Sequence, residues 1–221
     1  MPRYYPIQLD LKGKPCLVVG GGDVALRKAR SLVEAGAEVT VVAPEVCAKL
    51  RAFGGVALVE RAWRDTDLHG VFLVVVATDD ATTNRAVARD AADLGLLVNV
   101  VDCPALSSFI VPATMRRGEL SISVSTGGAS PALARRLRER LEAEFGEEYA
   151  AFIDVVAEVR KAVREKVSDE ARRAEILRDL AHERWLEVLR ERGREGLLAE
   201  MRKTAGLPAA EKSKPEIRNP K

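Results

Sequence analysis

Gly20-Gly21-Gly22-Asp23-Val24-Ala25 directly follows the apolar run Cys16 to Val19. Gly20, Gly22 and Ala25 make a G-x-G-x-x-A pattern. Such a pattern lets the backbone turn sharply after a strand, approach a pyrophosphate closely and pack a helix against that strand. The donors are then the backbone N–H groups of the turn and of the first helical residues, Asp23 and Val24, rather than a long side chain. A helix-like run, Asp23 to Ala35, and a second apolar run, Val39 to Ala43, follow at βαβ spacing. These residues point to dinucleotide binding. The alternative is a glycine-rich strand–helix turn that binds nothing.

Asp102 follows the fifth apolar run, Leu96 to Val101. Ligands of open α/β sheets sit beyond the carboxyl ends of the strands, where a carboxylate can accept a proton. Asp102-Cys103-Pro104 is equally an ordinary turn sequence, so both readings stand at this point. Asn99 either faces a nicotinamide carboxamide or simply bonds the backbone at a strand end. Thr78 follows the fourth apolar run and is placed to touch the cofactor, whereas Asp79 and Asp80 read as caps of the next helix. The second strand ends Val42-Ala43-Pro44-Glu45, without the usual carboxylate for the ribose hydroxyls. Glu45 is the nearest carboxylate, or it decorates a first helical turn. No arginine stands directly at that strand end, which favours NAD over NADP, while Arg51 is near enough to keep NADP open.

The elements needed to position these residues are legible over the first half of the 221-residue chain. Apolar, β-branched runs at Cys16–Val19, Val39–Ala43, Val56–Val59, Val71–Ala77 and Leu96–Val101 alternate with helical runs at Asp23–Ala35, Glu45–Phe53 and Asp80–Leu94. This is the pattern of a Rossmann-like parallel sheet covered by helices. After Pro104, Ser108–Met115 and Glu119–Ser125 read as two strands joined across Arg116-Arg117-Gly118. Thr126-Gly127-Gly128-Ala129 then leads to Ser130 as N-cap and Pro131 at the first helical position. Leu133, Leu137 and Leu141 form a stripe on that helix among Arg135, Arg136, Arg138 and Arg140. The expected division is a nucleotide-binding domain over 1–112, a small α+β dimerisation segment over 113–145, a helical region over 146–203 broken near Ser168 and near Gly193–Gly196, and a disordered tail over 204–221.

Composition excludes several classes. Hydrophobic residues make up 47%, enough for a core, but no apolar stretch approaches the length of a membrane span. The net charge is only +2 and no nucleic-acid-binding pattern accompanies it. The start MPRYYPIQLDLKGK has no apolar signal region, so a cytoplasmic protein is expected. Cys16, Cys47 and Cys103, with His69 and His182, have neither disulfide-framework nor zinc spacing, and no protein metal site is expected.

Four segments in order carry a more specific resemblance: Gly20 to Lys28; Ala77-Thr78-Asp79-Asp80; Asn99-Val100-Val101-Asp102 with Ser108-Phe109-Ile110-Val111-Pro112; and Thr126-Gly127-Gly128-Ala129-Ser130-Pro131. Together they resemble the precorrin-2 dehydrogenase module of siroheme synthases, strongly over about residues 5–145 and loosely beyond. The resemblance implies NAD-dependent oxidation of precorrin-2 to sirohydrochlorin, in siroheme or cobalamin biosynthesis, by a homodimer. It implies that Asp102 is the general base and that Pro44 and Glu45 meet NAD through the backbone. Arg27 and Lys28 read either as a solvated helix face or, as the resemblance implies, as holding substrate or phosphate charge; Thr126, Gly127, Gly128 and Ser130 either only open a helix or hold the anionic tetrapyrrole by N–H groups at its start. Some relatives insert ferrous iron as well, so a sirohydrochlorin ferrochelatase is the alternative. Others are fused to a methyltransferase, for which this chain is too short, and a separate methyltransferase is expected. A reading from another class is a non-catalytic NAD(H)-sensing module, which would have no use for Asp102.

Overall fold

A computed structural model describes residues 4–209. They fall into two compact units that divide between Val111 and Pro112.

The first unit is a five-stranded parallel sheet: β1 (Pro15–Val19), β2 (Glu38–Ala43), β3 (Val56–Glu60), β4 (Leu73–Val76) and β5 (Leu97–Val100), in the order β3-β2-β1-β4-β5. Continuous apolar runs form the central strands because helices cover both faces. Val18, Val41 and Val75 share a core with Leu26 and Ala29 of α1 (Asp23–Glu34) and Leu50 of α2 (Ala48–Arg51). On the other face Leu17, Val42 and Val74 pack with Val87, Ala88 and Ala91 of α3 (Ala81–Asp93). Each of the five expected parallel strands is present, trimmed or extended by one or two residues at an end. The strand order reverses at β1, which lies between β2 and β4, and that reversal opens the crevice where such sheets take ligands.

Two expectations in this unit change. The helix expected over Glu45–Phe53 is reduced to Ala48–Arg51. Residues 44–47 stay outside the helix, with a bend at Pro44-Glu45, and the Cys47 N–H donates to the Gly21 carbonyl at 2.8 Å. The strand expected over Ser108–Met115 begins only at Ala113. Residues 107–109 instead line the edge of β5: Ser107 Oγ accepts from Val100 N and Ser108 Oγ from Val98 N, both at 2.9 Å. Side-chain hydroxyls thus replace ladder bonds, and no regular strand forms there.

The second unit begins with the hairpin of β6 (Ala113–Arg117) and β7 (Leu120–Val124), followed by α4 (Pro131–Glu144). Arg116 and Arg117 were expected in the turn but lie in β6, and the turn is Gly118-Glu119. The reason lies in Arg117, whose guanidinium donates to the carbonyls of Phe145 and Glu142, both at 3.0 Å, at the carboxyl end of α4. The helices α5 (Glu148–Lys166), α6 (Glu170–Asp179) and α7 (Arg184–Thr204) enclose a core around Val155, Val159, Trp185 and Met201. The break at 167–169 coincides with the one expected near Ser168, and Gly193, at φ 66°, kinks α7. A further break at 180–183 carries no proline or glycine signal; there the Trp185 indole N–H donates to the Asp179 carbonyl at 2.9 Å.

The expected disordered tail needs correction at its start. Ala205 and Leu207 are buried in the helical core, and Arg202 Nε donates to the Pro208 carbonyl at 2.8 Å. Residues 210–221 lie outside the described residues. Among the described residues no helix is long and apolar enough to cross a membrane.

Candidate nucleotide and catalytic site

The turn after β1 holds three glycines with three different jobs. Gly20 has φ 126°, and a Cβ there would collide with the Ala77 carbonyl at the end of β4. At Gly21 a Cβ would run into the Glu45 carbonyl, which locks the loop after β2 under the turn. Gly22 is extended, at φ −87°, and a Cβ there would meet nothing within 4 Å. Two glycines therefore serve the fold, while the third leaves space free above the helix start. Ala25, fully buried, permits the close helix–strand packing.

Asp23 begins α1, and no side chain caps that helix. This contrasts with α3, where Asp80 accepts from Thr82 N at 2.9 Å and Thr83 N at 3.1 Å, and with α4, where Ser130 Oγ accepts from Leu133 N at 3.3 Å. A serine or aspartate cap is typically worth about 1 kcal/mol. Its lack at α1 leaves first-turn N–H groups and the positive end of the helix dipole for an anion. The Gly20–Val24 turn lines a cleft of about 520 Å³. Pro44, Glu45 and Thr78 line the same cleft, so every residue expected to bind the cofactor is brought to one place. Ala62, Trp63 and Thr83 line it too and were not foreseen. An absent cap, a Cβ-free approach at Gly22 and a crevice at the strand reversal together fit a dinucleotide pyrophosphate.

Thr78 lies at the cleft with its hydroxyl donating to Asn84 Oδ1 at 2.7 Å, and Asp80 is the helix cap. Asp23 pairs with Lys49 at 3.3 Å on the surface. Arg51 forms a two-pronged surface pair with Glu60, one arm at 2.6 Å. Asn99 is buried and its side-chain N–H donates to the Phe109 carbonyl at 3.0 Å, which is the backbone-bonding alternative. That bond ties the two halves of the third motif together.

Asp102 lies in the turn directly after β5 with φ 56°, and it is the one non-glycine residue among those described with a positive φ. Aspartate tolerates this left-handed conformation at a cost of about 1 kcal/mol, and strain of this kind gathers at working sites. The side chain is exposed and reachable. Lys28, on α1, is half-buried; burial and the neighbouring Arg27 lower its ammonium pKa, while the Asp102 carboxylate raises it. Asp102 and Lys28 are therefore within electrostatic reach of one another, a pairing their distance in sequence conceals.

Thr126, Gly127, Gly128 and Ser130 lie in the second unit, in the loop before α4. Much of this loop's donor capacity is spent internally. Gly127 N donates to Ser125 Oγ at 3.1 Å, Ser130 N to Thr126 Oγ1 at 3.0 Å, and Ala129 N to the Thr126 carbonyl at 3.0 Å. The expectation of an open N–H cradle at α4 is thus weakened, and Gly128 is the loop position with no such internal bond. Among the described residues no three His, Cys, Asp or Glu side chains gather in a metal-binding group.

The sheet, the uncapped glycine turn and the cleft define a Rossmann-type dinucleotide-binding protein. Residues 7–113 match the family described as "Putative NAD(P)-binding", and residues 117–144 match "Sirohaem biosynthesis protein central". Siroheme synthase of Methylobacillus flagellatus is 45% identical over 166 residues, 74% of this chain and 36% of its own. Siroheme synthase of Methylococcus capsulatus is 44% identical over 169 residues, 75% of this chain and 36% of its own. The solved structure of SirC, precorrin-2 dehydrogenase, superposes with a TM-score of 0.75 at 31% identity, covering 90% of this chain and 100% of that one. This chain belongs to the family of precorrin-2 dehydrogenases and siroheme synthases. It spans about a third of the length of the siroheme synthases it matches.

Proposed function

We propose that this protein oxidises precorrin-2 to sirohydrochlorin with NAD in siroheme biosynthesis, as a cytoplasmic homodimer. The observation that carries the reading is the uncapped helix start on an open cleft after β1, with the strained carboxylate of Asp102 at the end of β5. Dehydrogenation removes a hydride and a proton. NAD, when bound, accepts the hydride. Asp102 accepts the proton, since it is exposed at the strand end where substrate approaches. Lys28, within electrostatic reach of Asp102, attracts an acid substituent of the anionic tetrapyrrole.

Purified protein incubated with enzymatically made precorrin-2 and NAD tests the reading by NADH absorbance and the sirohydrochlorin spectrum. Both should rise together. NAD binding without turnover would replace this reading with the sensing module. Ferrous iron added afterwards reads whether the same protein also metallates its product.

The preference for NAD rests on Glu45, the carboxylate at the cleft after β2. Glu45→Ala is expected to weaken NAD about tenfold, the scale of one hydrogen bond to a charged group, and to leave NADP unchanged. Calorimetric titration with each cofactor checks this; equal weakening would leave only the backbone contact. For the dimer, Leu133 of α4 is 48% exposed while Leu137 and Leu141 are half-buried, an apolar stripe continuing into solvent. Light scattering at micromolar concentration is expected to give twice the chain mass, and a monomer would reject the assembly.

A further inference from the structure

Trp63 follows β3 and lines the same cleft as the glycine turn. Which part of a dinucleotide it would meet follows from the strand order. The glycine turn, after the central strand β1, holds the pyrophosphate. Asp102, after β5, marks one side of that centre as the reacting, nicotinamide side. The adenosine half must then extend the other way, over the ends of β2 and β3. There the cleft is walled by Pro44 and Glu45 after β2 and by Ala62 and Trp63 after β3. Adenine is flat and presents π-faces, and an indole is the side chain best suited to cover one.

Trp63 is also held in place. It is half-buried against the core containing Val42 and Leu68. The segment on either side of it is braced by one carboxylate, Asp67. Arg61 donates two bonds to Asp67, at 2.6 and 2.7 Å, and Arg64 N donates a third at 2.8 Å. The Arg61 guanidinium holds the Asp67 carboxyl below its usual range, so the brace stays ionised near neutral pH. A large aromatic side chain is thus fixed beside an open cleft, where most of its neighbours are small or polar. Packing alone does not require that placement.

We propose that the indole of Trp63 forms the wall of the adenine subsite and supplies much of the affinity for the adenosine half of the cofactor. This rests on the NAD-binding reading above. The chain has two tryptophans, and the other, Trp185, is buried in the second unit's core. Intrinsic fluorescence therefore reports the event with a built-in reference. AMP and ADP-ribose should quench the wild-type emission. Trp63→Phe should abolish that response, because Trp185 alone remains, while calorimetry shows affinity within about threefold of wild type. Trp63→Ala should weaken AMP and ADP-ribose about tenfold or more, the range of base–aromatic stacking. Circular dichroism and thermal melts confirm that each variant is folded. Unchanged AMP affinity in folded Trp63→Ala, or an undiminished quench in Trp63→Phe, would overturn the proposal. A wild-type protein that binds neither probe would sink the NAD reading itself, a different result from either of these.

Discussion

Asp102→Asn should lower precorrin-2-dependent NADH production by a hundredfold or more while NAD affinity stays nearly unchanged. Loss of a positioned general base typically costs two to four orders of magnitude. Asparagine keeps the size and tolerates the left-handed backbone of this turn, at φ 56°, so the substitution removes basicity with little change of fold. The expected split is therefore in the chemical step and not in cofactor binding. Steady-state rates with saturating NAD, set beside a calorimetric NAD titration, read both halves. A near-normal rate would return Asp102 to the role of a turn former. If iron insertion occurs and shares this base, it should fall in parallel.

The second large effect concerns the glycine turn, where Gly22 should respond differently from its two neighbours. Gly22→Val is expected to leave the protein folded, since a Cβ at that position meets nothing within 4 Å and the backbone is extended. The added side chain occupies the approach to the uncapped start of α1, and NAD affinity should drop by about a hundredfold or more. Gly21→Val should fail to fold, because its Cβ would strike the Glu45 carbonyl. Gly20 has both the steric conflict with Ala77 and a positive φ. Equal NAD affinity in a folded Gly22→Val protein would remove the pyrophosphate from this turn.

How much of this was legible in the sequence differs by kind of signal. The strands β1, β2, β4 and β5 were readable because burial on both faces writes itself as apolar, largely β-branched runs, the edge strand β3 from its short apolar run alone, and the α3 and α4 starts because Asp80 and Ser130-Pro131 are strong local caps. Cofactor residues followed from the same signal, since a strand end in an open sheet fixes where its next residues lie. Gly21 was passed over as the variable position of the fingerprint, although its lack of a Cβ is what allows the Glu45 carbonyl beneath it. Trp63 carried no motif; only the strand order brings the end of β3 to the cleft. The Lys28–Asp102 proximity and the Arg51–Glu60 pair are likewise tertiary. Over Ser108–Pro112 a strand-like sequence was misleading because serine hydroxyls, invisible to periodicity, satisfy the edge of β5. In the tail, polar composition concealed Ala205 and Leu207, two apolar residues that complete the helical core.

The most direct test is stoichiometric. Precorrin-2, kept anaerobic so that air cannot oxidise it, is mixed with wild-type protein and limiting NAD, and NADH and sirohydrochlorin are quantified in the same sample. Equimolar NADH and sirohydrochlorin, with the reaction stopping when NAD is exhausted, is the predicted result. Sirohydrochlorin formed without NADH, or precorrin-2 left unchanged by protein that demonstrably binds NAD, would contradict it.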